Sequence, residues 1–194
     1  MEHKKILIIN GHPDPESFNV GLAESYKKGA INSGAEVELI NIRNLDFNPN
    51  LEFGYREKTE LEPDLIKAID QIKNANHLVW IYPTWWYGYP AMMKGFIDRT
   101  FLPGLMFKFT KGKPVPDKLL KGRSGRIIIT GDTPSWYNNL VMKKPAINSF
   151  KKGTLEFSGV SPVKVTYISP LKSSTAEFRQ KWLDKIEQLG RENK

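Results

Sequence analysis

The chain has 194 residues, the usual span of one domain, with 40% hydrophobic and 26% charged, a balance that excludes intrinsic disorder. It has no cysteine, which excludes disulfides, thiolate nucleophiles, iron–sulfur clusters and Cys-ligated zinc, and fits a reducing compartment. The formal net charge is +8, yet the lysines are scattered without a nucleic-acid motif, so the charge reads as a solubilising surface that also attracts phosphate-bearing ligands.

The run 5–10, Lys-Ile-Leu-Ile-Ile-Asn, is apolar on both alternating sets and predicts a strand buried on both faces. At this length it is no secretory signal or membrane span, so a cytoplasmic location is expected. A helix is predicted over 16–33, with Phe18, Leu22 and Tyr26 recurring at four-residue steps and Gly34 closing it. Strand alternation follows at 36–40, then a long connection, 42–61, of the kind that often carries function. Pro63 introduces a helix to about residue 74. A strand at 77–82 stops at Pro83, and a helix covers 90–100. A strand at 125–130, a helix within 138–157, a strand at 163–168 and a Ser/Thr-capped helix at 174–189 complete the chain. Such alternation predicts an α/β fold, a five-stranded parallel sheet with helices on both faces, in one domain over 1–194. Ligands of open sheets of this type sit beyond the carboxyl ends of the strands, where the strand order reverses.

Three loops belong at that end. The first, 10–19, holds His12, Ser17, Phe18 and Asn19 beside a helix N-terminus, where free N–H groups and the helix dipole favour a phosphate; an ordinary turn capped by Ser17 is the alternative. The second carries Pro83, Thr84, Trp85, Trp86 and Tyr87 before Gly88, Tyr89 and Pro90. So many aromatics make an improbable exposed loop; they are expected to anchor it while its backbone N–H groups face a planar ring, or else to pack against a neighbouring subunit. The third begins Thr130-Gly131-Asp132, where glycine admits a ligand close to the backbone, and reaches Tyr137; a turn with a helix cap at Asp132 or Ser135 is its alternative.

These residues resemble the flavodoxin-like NAD(P)H:quinone oxidoreductases, the DT-diaphorase and modulator-of-drug-activity type. The likeness rests on His12 with Ser17-Phe18-Asn19, on Pro83 through Pro90 continuing into Lys94-Gly95-Phe96 and Asp98-Arg99, and on Thr130-Gly131 with Tyr137. It covers about residues 4–170. The resemblance implies a flavin, FAD or alternatively FMN, with its phosphate and ribityl region held by His12, Ser17, Phe18 and Asn19. Pro83, Thr84, Trp85, Trp86 and Tyr87 would run along the isoalloxazine ring, and Thr130, Gly131 and Tyr137 would approach its pyrimidine side. It also implies ping-pong transfer of a hydride from NAD(P)H through flavin N5 to a quinone. The long connection 42–61 favours FAD.

Three departures from the family pattern stand out. No histidine follows Tyr137 within 138–145, which leaves Tyr137 as the candidate catalytic residue, acting with water, with a lysine or unaided. Phe107 and Phe109 occupy the places of two substrate-pocket tyrosines and remove two hydroxyl donors, so a broad acceptor range is expected. Asp132 replaces a glycine, and its carboxylate opposes an anionic reduced flavin unless it turns away to cap the next helix. The apolar stretch Phe96, Phe101, Leu102, Leu105, Met106 and Phe107 is expected to form an exposed patch, hence a homodimer interface. Two competing readings are a regulatory, nucleotide-sensing flavoprotein subunit and a zinc deacetylase. For the latter His12-Pro13-Asp14-Pro15-Glu16 has a proline in place of an acidic residue, and the remaining histidines are His3 and His77, so no metal is expected. No nucleic-acid partner is expected either.

Overall fold

The computed structural model describes residues 4–193; His3 lies outside them. Its strands and helices run β1 (Lys5–Asn10), α1 (Phe18–Asn32), β2 (Glu36–Asn41), α2 (Pro63–Asn74), β3 (His77–Pro83), α3 (Ala91–Thr100), β4 (Phe107–Lys108), β5 (Asp117–Lys118), β6 (Ser124–Thr130), α4 (Pro145–Phe150), β7 (Val163–Ile168) and α5 (Ala176–Arg191). Five strands form one parallel sheet in the order β2-β1-β3-β6-β7. The short strands β4 and β5 pair antiparallel as a separate hairpin. The chain leaves β1 towards β2 and returns across to β3, so the strand order reverses between β1 and β3. A crevice therefore opens where Asn10 and Pro83 end their strands.

Alternation along the central strands sorts the core into two layers. Ile6 and Ile8 of β1, Val79 and Ile81 of β3, and Ile128 of β6 pack under α1 and α5 against Leu22, Tyr26 and Ile186. Leu7 and Ile9, then Leu78, Trp80 and Tyr82, then Ile127 and Ile129 face Leu65, Phe96 and Phe150 of α2, α3 and α4. Helices thus cover both faces. Helices α1 and α5 approach to backbone contact: a Cβ on Gly29 would lie 1.9 Å from the Glu187 carbonyl oxygen, and one on Gly190 would lie 2.2 Å from that of Tyr26.

The connection 42–61 is tied to the core by Arg99, 1% exposed. Its guanidinium donates to the carbonyls of Asn48 (2.5 Å) and Glu60 (2.5 Å) and to the Glu62 carboxylate (2.8 Å). Burial pushes the Glu62 carboxyl up, but the N–H of Asn48, its own backbone N–H and Arg99 outweigh this and hold it below its ordinary range.

Two expectations are corrected, one is narrowed, and one element was not foreseen. The helix expected within 138–157 is present as α4, but it is short and is flanked by π-helical turns at Tyr137–Val141 and Lys151–Glu156. Lys143 and Lys144 take left-handed backbone at φ 56° and 57° before Pro145 restarts the helix. The hairpin of β4 and β5 has no counterpart in the sequence reading, because two-residue strands leave no period to detect. The stretch expected to form an exposed apolar patch is mostly interior: Phe96, Phe101, Met106 and Phe107 are buried and Leu102 and Leu105 half-buried, because they close the core over the sheet. Exposed apolar side chains lie instead at Trp85, Trp86, Trp136, Leu140 and Val141. Finally, the tryptophans do not anchor the second loop by burial, since Trp86 is fully exposed. Backbone pairing does so, with Thr84 N–H donating to Thr130 O (2.7 Å) and Trp85 and Gly88 exchanging N–H···O bonds (3.2 and 2.9 Å). Among the described residues no helix is long and apolar enough to cross a membrane.

Candidate functional site

A cleft of about 380 Å³ lies over the carboxyl ends of β1, β3 and β6, lined by residues of all three loops. The first loop is held in place from Asn10, the last residue of β1. The Asn10 amide donates to Asn41 Oδ1 (3.0 Å) while its own oxygen accepts the His12 N–H (3.1 Å). His12 Nδ1 in turn accepts the Asp14 N–H (3.0 Å), and Asp14 Oδ1 accepts the Glu16 N–H (2.9 Å). A ring nitrogen that accepts carries no proton, so the imidazole is neutral and presents Nε2–H as a donor. Burial lowers the His12 pKa and Arg43 lowers it further, against an opposing pull from Asp14. The indole of Trp85 stands edge-on to the ring at 5.8 Å.

Ser17 occupies the N-cap of α1, yet its hydroxyl makes no capping bond and no acidic residue sits in the first turn. The positive end of this 15-residue helix dipole meets no carboxylate within its own first turn. Asn19 is buried, and Thr130 Oγ1 donates to its Oδ1 at 2.9 Å, fastening α1 to β6. Three buried polar atoms of residues on this lining, Ser17 Oγ, Asn19 Nδ2 and Thr84 Oγ1, have no hydrogen-bond partner among the described residues. A buried donor or acceptor left unpaired costs about 1–3 kcal/mol, a cost that a polar ligand in the cleft would offset.

The second loop turns at Trp86 and Tyr87, both left-handed (φ 50° and 54°). Non-glycine residues tolerate that conformation at a cost of about 1–3 kcal/mol each, and such strain concentrates where a loop must keep a particular shape. In the third loop, a Cβ on Gly131 would meet the Tyr167 hydroxyl at 3.0 Å, so a side chain there would press on Tyr167. The Asp132 carboxylate does turn away, though it caps no helix. Its Oδ1 accepts the N–H groups of Leu171 (3.1 Å) and Lys172 (2.5 Å) in the connection before α5.

The cleft thus gathers His12, Ser17, Phe18, Asn19, Pro83, Thr84, Trp85, Thr130 and Gly131. Tyr87 is outside the lining, its hydroxyl 3.4 Å from Thr133 Oγ1. Trp86 and Tyr137 are also outside it, Tyr137 half-exposed at the start of a π-helical turn. Phe107 and Phe109 pack at 5.5 Å in a different cleft, of about 530 Å³, with Tyr55, Phe101 and Phe157. Sequence reasoning missed the fourth wall of the first cleft, Leu171, Lys172 and Arg179. Among the described residues no group of three His, Cys, Asp or Glu is placed to hold a metal ion.

The model of a family described by its flavodoxin-like fold matches residues 4–189. An NAD(P)H oxidoreductase of Haemophilus influenzae is 27% identical over 81% of this chain and 80% of its own. A Streptococcus mutans protein of known structure is 30% identical, covers 97% of this chain and 99% of its own, and superposes with a TM-score of 0.83. An NAD(P)H:quinone oxidoreductase of Methanothermobacter marburgensis, 20% identical over the whole of both chains, has a TM-score of 0.82. The chain belongs to the flavodoxin-like family, in the company of NAD(P)H oxidoreductases and quinone reductases.

Proposed function

We propose that the protein is a flavin-dependent NAD(P)H:quinone oxidoreductase whose flavin lies in the cleft over β1, β3 and β6, in a single flavin-binding domain. The observation that carries this reading is the set of unpartnered buried atoms, Ser17 Oγ, Asn19 Nδ2 and Thr84 Oγ1, gathered at the uncapped head of α1. Ser17, Asn19 and the Nε2–H of His12 suit a phosphate, and the helix dipole reinforces them. Thr84 and the strained backbone of the second loop suit the edge of a planar heterocycle. Gly131 brings the third loop close to Tyr167 and Thr84, beside the place proposed for its pyrimidine side.

When bound, the flavin supplies two-electron chemistry that no side chain of this cysteine-free site provides. The chain's own part is to orient it and to offset the carboxylates on the lining, Asp14, Glu16 and Asp132. Asp14 and Asp132 are both turned onto backbone N–H groups. Lys172 and Arg179 add positive charge to the lining. FAD is the form we propose, with FMN the alternative. Tyr137 is assigned to the ring's pyrimidine side as the candidate catalytic residue, and Phe107 and Phe109 to an acceptor pocket completed across a homodimer. The names of the relatives in H. influenzae and M. marburgensis support NAD(P)H as donor and a quinone as acceptor.

Steady-state oxidation of NADH and NADPH tests this with a panel of benzoquinones and naphthoquinones. Parallel double-reciprocal lines and use of several quinones are the expected result. Failure to oxidise either dinucleotide with any quinone, by protein that carries flavin, contradicts the assigned reaction.

A further inference from the structure

Strand β7 forms one edge of the sheet and pairs within it only with β6. Gly125 N–H donates to Pro162 O (2.9 Å) and Gly131 N–H to Ile168 O (3.0 Å), so the even-numbered residues of β7 carry the ladder. Val163, Val165 and Tyr167 therefore turn their backbone N–H and C=O groups to the open side, where no described residue pairs with them. They line a groove of about 630 Å³ between this edge and α4 with its flanking turns. The groove is also lined by Arg126, Lys144, Lys151, Lys152 and Lys164, and by no carboxylate among the described residues. Glu156, outside the lining, pairs with Lys151 (3.7 Å). Lys144, Lys152 and Lys164 have no ion-pair partner among the described residues. Arg126 is buried and donates to Thr166 Oγ1 (2.8 Å). The groove shares no lining residue with the cleft over β1, β3 and β6.

We infer that the β7 edge is a docking site for an extended, acidic segment of a partner protein, which adds a strand to the sheet and sets its carboxylates against Lys144, Lys152 and Lys164. An open edge with regularly spaced backbone donors and acceptors is a template for another strand. Lysines around such an edge deter its pairing with a copy of itself, and the same charges select a strand of opposite sign. Cations stand on both faces of the added strand. Val163 and Val165 face the layer of α4, the side that carries Lys144 and Lys152. Lys164 between them faces the other way, towards Lys4 and His77, whose pKa values it helps burial to lower. A segment whose alternate side chains point to opposite faces thus meets positive charge on either. A nucleic acid fits less well. The one aromatic ring of the lining, Tyr167, is half-buried with its hydroxyl donating to Thr133 O (2.9 Å), so no open ring face is offered to a base.

Fluorescence anisotropy on the full chain tests this with a labelled peptide of alternating glutamate and valine, about ten residues long to span the edge. Two comparators accompany it: the same peptide N-methylated on every backbone nitrogen, which blocks strand pairing at unchanged charge, and an oligothymidylate of equal length. The parent peptide is expected to bind, and added salt to weaken it. N-methylation should weaken it by about tenfold, and so should the double substitution Lys144→Glu with Lys152→Glu. Val165→Pro removes an outward N–H that the sheet does not use, so it should weaken the peptide without changing the circular dichroism spectrum. Should that variant fail to fold, the N-methylated peptide reads the same bonds on the wild type. The inference is overturned if the parent peptide does not bind, or if the lysine substitutions leave its binding unchanged. It is overturned too if the N-methylated peptide binds as tightly as its parent, since charge alone would then hold both. Tighter binding of oligothymidylate would assign the groove to nucleic acid instead. Self-association of the wild type in sedimentation, abolished by the lysine substitutions, would assign it to a second copy of this chain.

Discussion

His12 is neutral in the free cleft because burial disfavours its charged form and its Nδ1 is occupied by the Asp14 N–H. A phosphate placed beside Nε2 favours the imidazolium and so raises the His12 pKa. Since the bound form then holds its proton to higher pH than the free form, affinity for the phosphorylated cofactor should strengthen as pH falls through the bound-state pKa, levelling off below the free one. NMR titration of the imidazole with and without flavin measures both values, and identical pKa values would contradict a phosphate at this position. At this scale much of the site was legible. His12, Ser17, Asn19, Thr84 and Gly131 advertise themselves by type and by place at strand ends, where the sheet topology gathers them. Lys172 and Arg179 were not legible, because what brings them to the cleft is a hydrogen bond between positions far apart, with no local period or motif to betray it.

Between elements, the tightest constraint is the α1–α5 contact, where Gly29 and Gly190 allow backbone to approach backbone. A methyl group at 29 has nowhere to go, since its neighbour is the Glu187 carbonyl rather than a movable side chain. Gly29→Ala is therefore expected to destabilise the protein by about 1–3 kcal/mol, as overpacking does, with a lower urea midpoint and an unchanged m-value. An unchanged midpoint would show that the two helices separate freely. The five sheet strands and α1, α2, α3 and α5 could be read from periodicity and punctuation, with Pro63 at the head of α2 and Gly34 after α1 in the places that helix ends favour. Within 137–157 a helix could be expected, but not its bounds, because the backbone includes two left-handed lysines and two π-helical turns that leave no mark in the residue pattern.

At the scale of the whole molecule, folding buries one imidazole far from the cleft. His77 begins β3, 2% exposed, bonded through Nδ1 to Ser124 Oγ (2.8 Å) and lying parallel to Tyr26. Burial first, then Lys4, Arg126 and Lys164, push its pKa down to about 3. Above pH 6.5 the group is neutral in both folded and unfolded chains and adds no pH dependence. Between 6.5 and about 3 the unfolded chain binds a proton that the folded chain refuses, so stability falls on acidification by up to about 1.4 kcal/mol per pH unit. His77→Gln should remove that share of the slope between pH 6.5 and 5 in urea unfolding, and a slope unchanged by the substitution would contradict the assignment.

The fold gathers three loops at the reversal point of the sheet, and the claim that they hold a flavin is open to one direct measurement: the visible spectrum and flavin-to-protein ratio of the purified wild type beside Ser17→Ala and Asn19→Ala. The wild type should be yellow with about one flavin per chain. Each variant should lose flavin on dilution, with affinity weakened by about 1.5–3 kcal/mol for the lost charge-assisted hydrogen bond. A colourless wild type that takes up neither FAD nor FMN, or variants that retain flavin as firmly as the wild type, would contradict the account.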